Sequence, residues 1–121
     1  MEYLALVYGD PASWEQLSES DRAAAYEGYM AVARDAEAAG ALVDASELES
    51  TAAATSVRVR NGEALVTDGP YAEVKESLGG YYLFSCDSFE EAIAWAAKIP
   101  SAWHGGAIEV RPIHVEEEAA A

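Results

Sequence analysis

Apolar positions crowd the start of the chain. Glu2 to Tyr8 reads Glu-Tyr-Leu-Ala-Leu-Val-Tyr, apolar or aromatic at every position after the first. That is the pattern of a strand buried on both faces. Alternation sets Tyr3, Ala5 and Val7 on one face and Leu4, Leu6 and Tyr8 on the other. Gly9-Asp10-Pro11 ends the strand, and Ser13 to Glu19 is expected to be a connecting turn with Trp14 and Leu17 against the body. From Ser18 or Ser20, either of which can cap it, the pattern becomes helical to about Ala39. Tyr26, Tyr29 or Met30, Ala33 and Ala36 make its expected apolar face, and Gly40 fits the left-handed position that stops it.

Strand-like runs follow. Ala41 to Leu48 is a second strand, and Glu49 to Ala54 a polar connection. Val57-Arg58-Val59-Arg60, Asn61-Gly62 and Glu63-Ala64-Leu65-Val66 predict a hairpin on a type I′ turn, pairing Arg60 with Glu63, Val59 with Ala64 and Val57 with Val66. Arg58 and Arg60 then belong to the solvated face of the hairpin. Thr67 to Gly80 carries Asp68, Glu73, Lys75 and Glu76 between Gly69-Pro70 and Gly79-Gly80, and reads as a charged connection between strands. Tyr81 to Cys86 is a strand. Ser88 to Glu91 has capping-box spacing and opens a second helix through Ala97. Ala102 to Gly106 is a loop, and Ala107 to Arg111 is the last strand, closed by Pro112.

The order strand, helix, strand, hairpin, strand, helix, strand predicts an α+β, ferredoxin-like, mainly antiparallel sheet. Two helices cover one face, with the hairpin inserted. One domain is expected over residues 1–115, with an acidic, frayed tail over 116–121. Many strand residues are apolar on both faces, so the uncovered face predicts a second copy as its partner, a homodimer.

Charge narrows the other partners. Seven basic residues stand against 22 acidic ones, a net charge of −15. That field repels phosphates and anionic lipids, so neither nucleic acid nor membrane is an expected partner. No apolar run approaches the ~18 residues of a membrane span. A hydrophobic fraction of 51% over 121 residues is enough for a folded core. The single cysteine, Cys86, excludes an intramolecular disulfide. With no basic-then-apolar leader at the start, it points to the cytoplasm, with the thiol buried in its strand. His104 and His114 stand apart without clustered carboxylates, so no metal or other cofactor is expected.

Thr67-Asp68-Gly69-Pro70-Tyr71-Ala72-Glu73-Val74-Lys75-Glu76, followed by Leu78-Gly79-Gly80-Tyr81-Tyr82, resembles the signature of the YCII-related proteins of the DGPF type. Ala96-Ala97-Lys98-Ile99-Pro100 and Ile108-Glu109-Val110-Arg111-Pro112 match the same family in the same order. The likeness runs from Tyr3 to Ile113, with Tyr71 in place of the phenylalanine of the motif. The resemblance implies a dimeric α/β barrel. It also implies gene neighbourhoods shared with extracytoplasmic-function sigma factors and, among wider relatives, lyase-type enzymes, including a dehydrochlorinase, that use a histidine–aspartate pair. Tyr29 stands close to the position of that histidine. A phenol of pKa ~10 is a poor general base near neutrality where imidazole, at ~6.5, is a good one.

Candidate chemistry gathers on a few polar residues. Asp68 and Lys75 are the candidate catalytic pair: Asp68 could move a proton or cap the turn before Gly-Pro, and Lys75 could polarise a carbonyl or remain a surface charge. Glu76 stands beside Lys75 as a candidate binding group. Glu109 and Arg111 share one strand face, where the arginine could hold an anionic ligand or pair with the glutamate. Tyr8, Tyr29 and Tyr82 could line an aromatic pocket or belong to the core. Two functions follow: a lyase- or isomerase-like enzyme acting on a small polar or aromatic molecule in a dimer-side pocket, or a non-catalytic small-molecule-binding or accessory protein linked to sigma-factor signalling.

Overall fold

The computed structural model describes residues 1–72 and 74–116; the expected tail lies outside them apart from Glu116. In chain order they form β1 Glu2–Gly9, α1 Pro11–Glu15, α2 Glu19–Ala38, β2 Leu42–Glu47, β3 Thr55–Arg60, β4 Glu63–Asp68, β5 Ser77–Ser85, α3 Phe89–Ala96 and β6 Ala107–Pro112. Short 3-10 turns span Thr51–Ala53 and Pro100–Ala102. Four strands make one antiparallel sheet in the order β2-β5-β1-β6, while β3 and β4 form a separate ribbon. This is consistent with the ferredoxin-like plan, with the hairpin set into its middle.

The alternation of β1 decides which face is covered. Tyr3, Ala5 and Val7 are buried together with Tyr82 and Phe84 of β5, Val32 and Ala36 of α2, and Ala92 and Ala96 of α3. Because one cluster holds residues of both long helices, both pack on the same sheet face. Phe84 is fully buried and stacks between Tyr82, 5.7 Å away, and Trp95, 6.2 Å away. Burying such a ring contributes about 2 kcal/mol. The opposite face carries Leu4, Leu6, Tyr8, Tyr81 and Leu83, all half-buried. None of the described helices is long and apolar enough to cross a membrane.

Helix signals match their expected positions. The Ser18 hydroxyl accepts from the Asp21 amide at the start of α2, the Ser88 hydroxyl accepts from the Glu91 amide at the start of α3, and Gly40 follows α2 at a φ of 73°. The hairpin register is the one expected, Arg60 with Glu63, Val59 with Ala64, and Val57 with Val66. Asn61 and Gly62 are both at positive φ, 52° and 79°, as a type I′ turn requires.

Three expectations need correction. The segment after Pro11 is a helical turn, α1, because Asp10 accepts from the Ala12 amide and Pro11 sits where a missing N–H costs nothing. The buried stripe of α2 is Ala25, Val32 and Ala36, whereas Tyr26 and Met30 are exposed on its flank. The charged connection is shorter than Thr67 to Gly80. Thr67 and Asp68 belong to β4, and Gly79-Gly80 lie inside β5 with Gly80 opposite Val7 and Glu47. A Cβ on Gly80 would meet the Ser46 carbonyl oxygen at 2.7 Å, so this glycine permits strand contact rather than ending a loop.

Candidate functional site

The exposed flank of α2 faces a groove. It lies between α2 and the end of the sheet where β1 and β2 finish and β5 begins, and α1 closes one side. Its volume is about 790 Å³, the range of small-molecule sites. Four aromatic residues on the α2 side line it, Trp14, Tyr26, Tyr29 and Tyr82, while Tyr81, whose hydroxyl donates to Asp44 on the open sheet face, only borders it.

Close backbone contacts shape its floor. Gly28 of α2 lies against Pro100, where a Cβ would come 2.7 Å from the proline Cγ. This contact brings Tyr29, the next residue, to Ser101. Ser101 is buried, and its hydroxyl donates to the Tyr8 carbonyl at 2.6 Å. Gly106 closes the same corner, where a Cβ would overlap the Ser101 hydroxyl and the Tyr8 carbonyl. Tyr82 donates its hydroxyl to the Tyr29 carbonyl at 2.8 Å, tying β5 to the middle of α2.

Burial sets the phenol chemistry. It pushes Tyr82 up to about 12, with Tyr29 adding to the shift. Burial also raises Tyr29, while the Ser101 hydroxyl and backbone pull it part of the way back. Tyr29 is therefore a neutral phenol at physiological pH, able to donate a hydrogen bond into the groove but not to serve as a base. At the mouth, Tyr26 donates to Glu47 Oε1 at 3.3 Å and meets Trp14 edge-to-face, centroids 5.5 Å apart at 87°. The Glu47 charge raises the Tyr26 phenol first, with smaller effects of burial and their hydrogen bond. Cys86, outside the groove, is buried and its thiol is raised mainly by desolvation.

Of the residues singled out in the sequence, Tyr29 and Tyr82 line this groove. Asp68 ends β4 opposite Thr55 and is exposed, as are Lys75 and Glu76 in the connection to β5. None of the three lines the groove. Glu109 and Arg111 are exposed on the other sheet face, opposite Leu6 and Leu4 of β1. Among the described residues the ion pairs are those of Arg34 with Glu27 and Asp35, so Glu109 and Arg111 are not joined. No group of three or more potential metal ligands gathers among the described residues.

Trp14, Tyr26, Glu47 and Ser101 were not apparent as site residues from sequence. Tyr26 shares its helical spacing with the core. The signals for Ser101 are its neighbours, Pro100 and the Gly105-Gly106 pair.

Comparison with known proteins agrees with the motifs. The model of the YCII-related domain matches residues 1–117. An uncharacterized protein of Rhizobium meliloti (strain 1021) is 37% identical over 114 residues, 93% of this chain and 92% of that protein. With a family match over nearly all of its length and a full-length relative at that identity, the chain belongs to the YCII-related family.

Proposed function

We propose that the protein binds a small, largely apolar molecule carrying a polar tip in the groove between α2 and the end of the sheet. The observation that carries this reading is the position of Tyr29: a neutral, half-buried phenol on the wall of a cavity of about 790 Å³, beside Ser101. An aromatic wall supplies contact area, and one fixed hydroxyl supplies orientation. Tyr82 serves as the wall behind Tyr29.

Binding without turnover is the better supported of the two functions. A lyase- or isomerase-like reaction at this groove would need Asp68 and Lys75 brought to it from a second copy, since neither lines it within one chain. An accessory role beside sigma-factor signalling asks only for ligand recognition. The half-buried apolar face of Leu4, Leu6, Tyr8, Tyr81 and Leu83 serves as the homodimer surface, with Glu109 and Arg111 at its β6 edge. A single, buried cysteine with no second one to pair with in the chain is compatible with a cytoplasmic protein.

The test is a thermal-shift screen of small aromatic and polar molecules. A ligand at a hundred times its Kd adds about 2.7 kcal/mol of stability, several degrees in Tm. Stabilisation by at least one class, lost on filling the groove with Ala33→Phe in a variant that keeps its far-UV spectrum, is the expected result. A complete screen with no stabilising compound would overturn the reading.

A further inference from the structure

The groove has a charge character that its aromatic walls make specific. None of the seven lysine and arginine residues of the chain lines it, whereas Asp10, Glu15, Glu47 and Glu49 do. His104 is its one imidazole. A carboxylate ligand would therefore meet phenols and carboxylates with no Lys or Arg cation to pair with, and its desolvation would go uncompensated. An organic cation meets the reverse situation.

Trp14 and Tyr26 supply the second, independent element. Their rings stand at 87° with centroids 5.5 Å apart, and both belong to the groove wall. In this edge-to-face contact the edge of one ring rests on the face of the other, so the pair holds itself rigid and leaves an outward ring face on which a cation within about 6 Å of the centroid is held by the ring quadrupole. Glu47 is fixed against this pair through the Tyr26 hydroxyl at 3.3 Å. Accepting that bond orients one carboxylate oxygen and leaves lone pairs free for an ammonium N–H. Tyr29 lies deeper, beside Ser101, with the apolar Val7 and Ala33 also on the wall.

The geometry points to an organic cation as the ligand class: an amine or quaternary ammonium on an apolar or aromatic body, its charge at Trp14, Tyr26 and Glu47 and its body toward Tyr29. This rests on the groove being the binding site and adds the sign of the ligand. It also assigns recognition to Trp14, Tyr26 and Glu47, which lie outside the sequence motifs described above. The −15 charge of the chain assists by raising the local cation concentration, but a general field cannot separate two cations of different shape, whereas a ring face beside Glu47 can.

Three probes with the same aromatic body separate the terms: 2-phenylethylammonium, 2-phenylethanol and phenylacetate, titrated into the full chain by calorimetry at low and physiological salt. The expected result is at least a tenfold tighter Kd for the ammonium than for the alcohol, with no detectable binding of the carboxylate. Glu47→Gln is expected to weaken the ammonium several-fold more than the alcohol, and Trp14→Leu to weaken the ammonium while the Tm stays within a few degrees. Equal affinity for ammonium and alcohol would overturn the cation assignment and leave the groove as a neutral site. Tightest binding by phenylacetate, or unchanged selectivity in Glu47→Gln, would also overturn it. Binding by none of the three overturns the cation assignment, while the wider screen still decides whether the groove is a site at all.

Discussion

Tyr82 on β5 donates its hydroxyl to the main-chain carbonyl of Tyr29 at 2.8 Å, in the middle of α2. A mid-helix carbonyl that accepts a side-chain bond is held in place from outside the helix, so this bond sets where α2, and with it the phenol of Tyr29, stands over the sheet. Tyr82→Phe removes the bond and keeps the ring. The expected cost is about 1 kcal/mol, a fall in Tm of roughly 3–6 °C, read by thermal and urea unfolding. An unchanged midpoint would mean the carbonyl does not need this donor.

Alkaline pH tests the same pair. Tyr82 is raised to about 12 in the folded state, against ~10 in an unfolded chain, and Tyr29 is raised in the same direction. The folded state thus favours the protonated phenols. Their contribution is complete below about pH 10 and is lost as pH rises toward 12, because the unfolded chain releases its protons first. Absorbance titration should show Tyr82 ionising last among the tyrosines, and Tyr82→Phe should remove that final step.

Two glycines should respond differently to alanine. Gly106→Ala drives a Cβ into the Tyr8 and Ser101 main chain, and backbone cannot swing aside, so a loss of about 2–3 kcal/mol is expected. Gly28→Ala meets only the Pro100 ring at 2.7 Å. It also gains about 1 kcal/mol of helix propensity, so its net cost is smaller. Denaturant midpoints order the two variants. Gly28→Ala as the more damaging change would contradict the packing described at Ser101.

The hairpin stands apart from the core. Val57, Val59 and Val66 are 62%, 71% and 66% exposed, and two-stranded ribbons alone are marginal in water. Amide exchange should therefore be fast across β3 and β4 and slow across β1 and β5. Protection of the hairpin equal to that of the central sheet would show that something covers the valines.

The open sheet face makes its own prediction. Leu6, half-buried opposite Glu109, lies in the middle of the proposed homodimer surface. Leu6→Lys should convert a dimer to a monomer in sedimentation equilibrium while far-UV ellipticity is retained. A wild-type chain that sediments as a monomer would remove that surface from the account.

Much of the fold was legible because its signals are local. Asn61-Gly62 defines a turn by its own backbone preference, and the alternation from Tyr3 to Tyr8 separates covered from open face without knowledge of any neighbour. The site was legible only in part. Tyr29 and Tyr82 could be named from sequence, but Trp14, Glu47 and Ser101 become neighbours of Tyr26 and Tyr29 only through the crossing of α2 over the sheet. Tyr26 and Met30 illustrate the difficulty, since an apolar residue at helical spacing looks the same whether it faces a core or a groove. Asp68, Lys75 and Glu76 drew attention as charges within a family motif, yet a motif records what a family shares and not where a cavity forms.

Ligand in the groove at Tyr29 should be visible directly in the protein's own resonances. The most direct measurement is amide and indole chemical-shift mapping of the labelled protein on addition of 2-phenylethanol and 2-phenylethylammonium. Shifts are expected at Tyr29, Ser101, Gly106 and the Trp14 indole, with Glu47 added for the ammonium. Shifts confined to the Gly69–Glu76 connection or to Leu4, Leu6 and Leu83 would contradict binding in the groove.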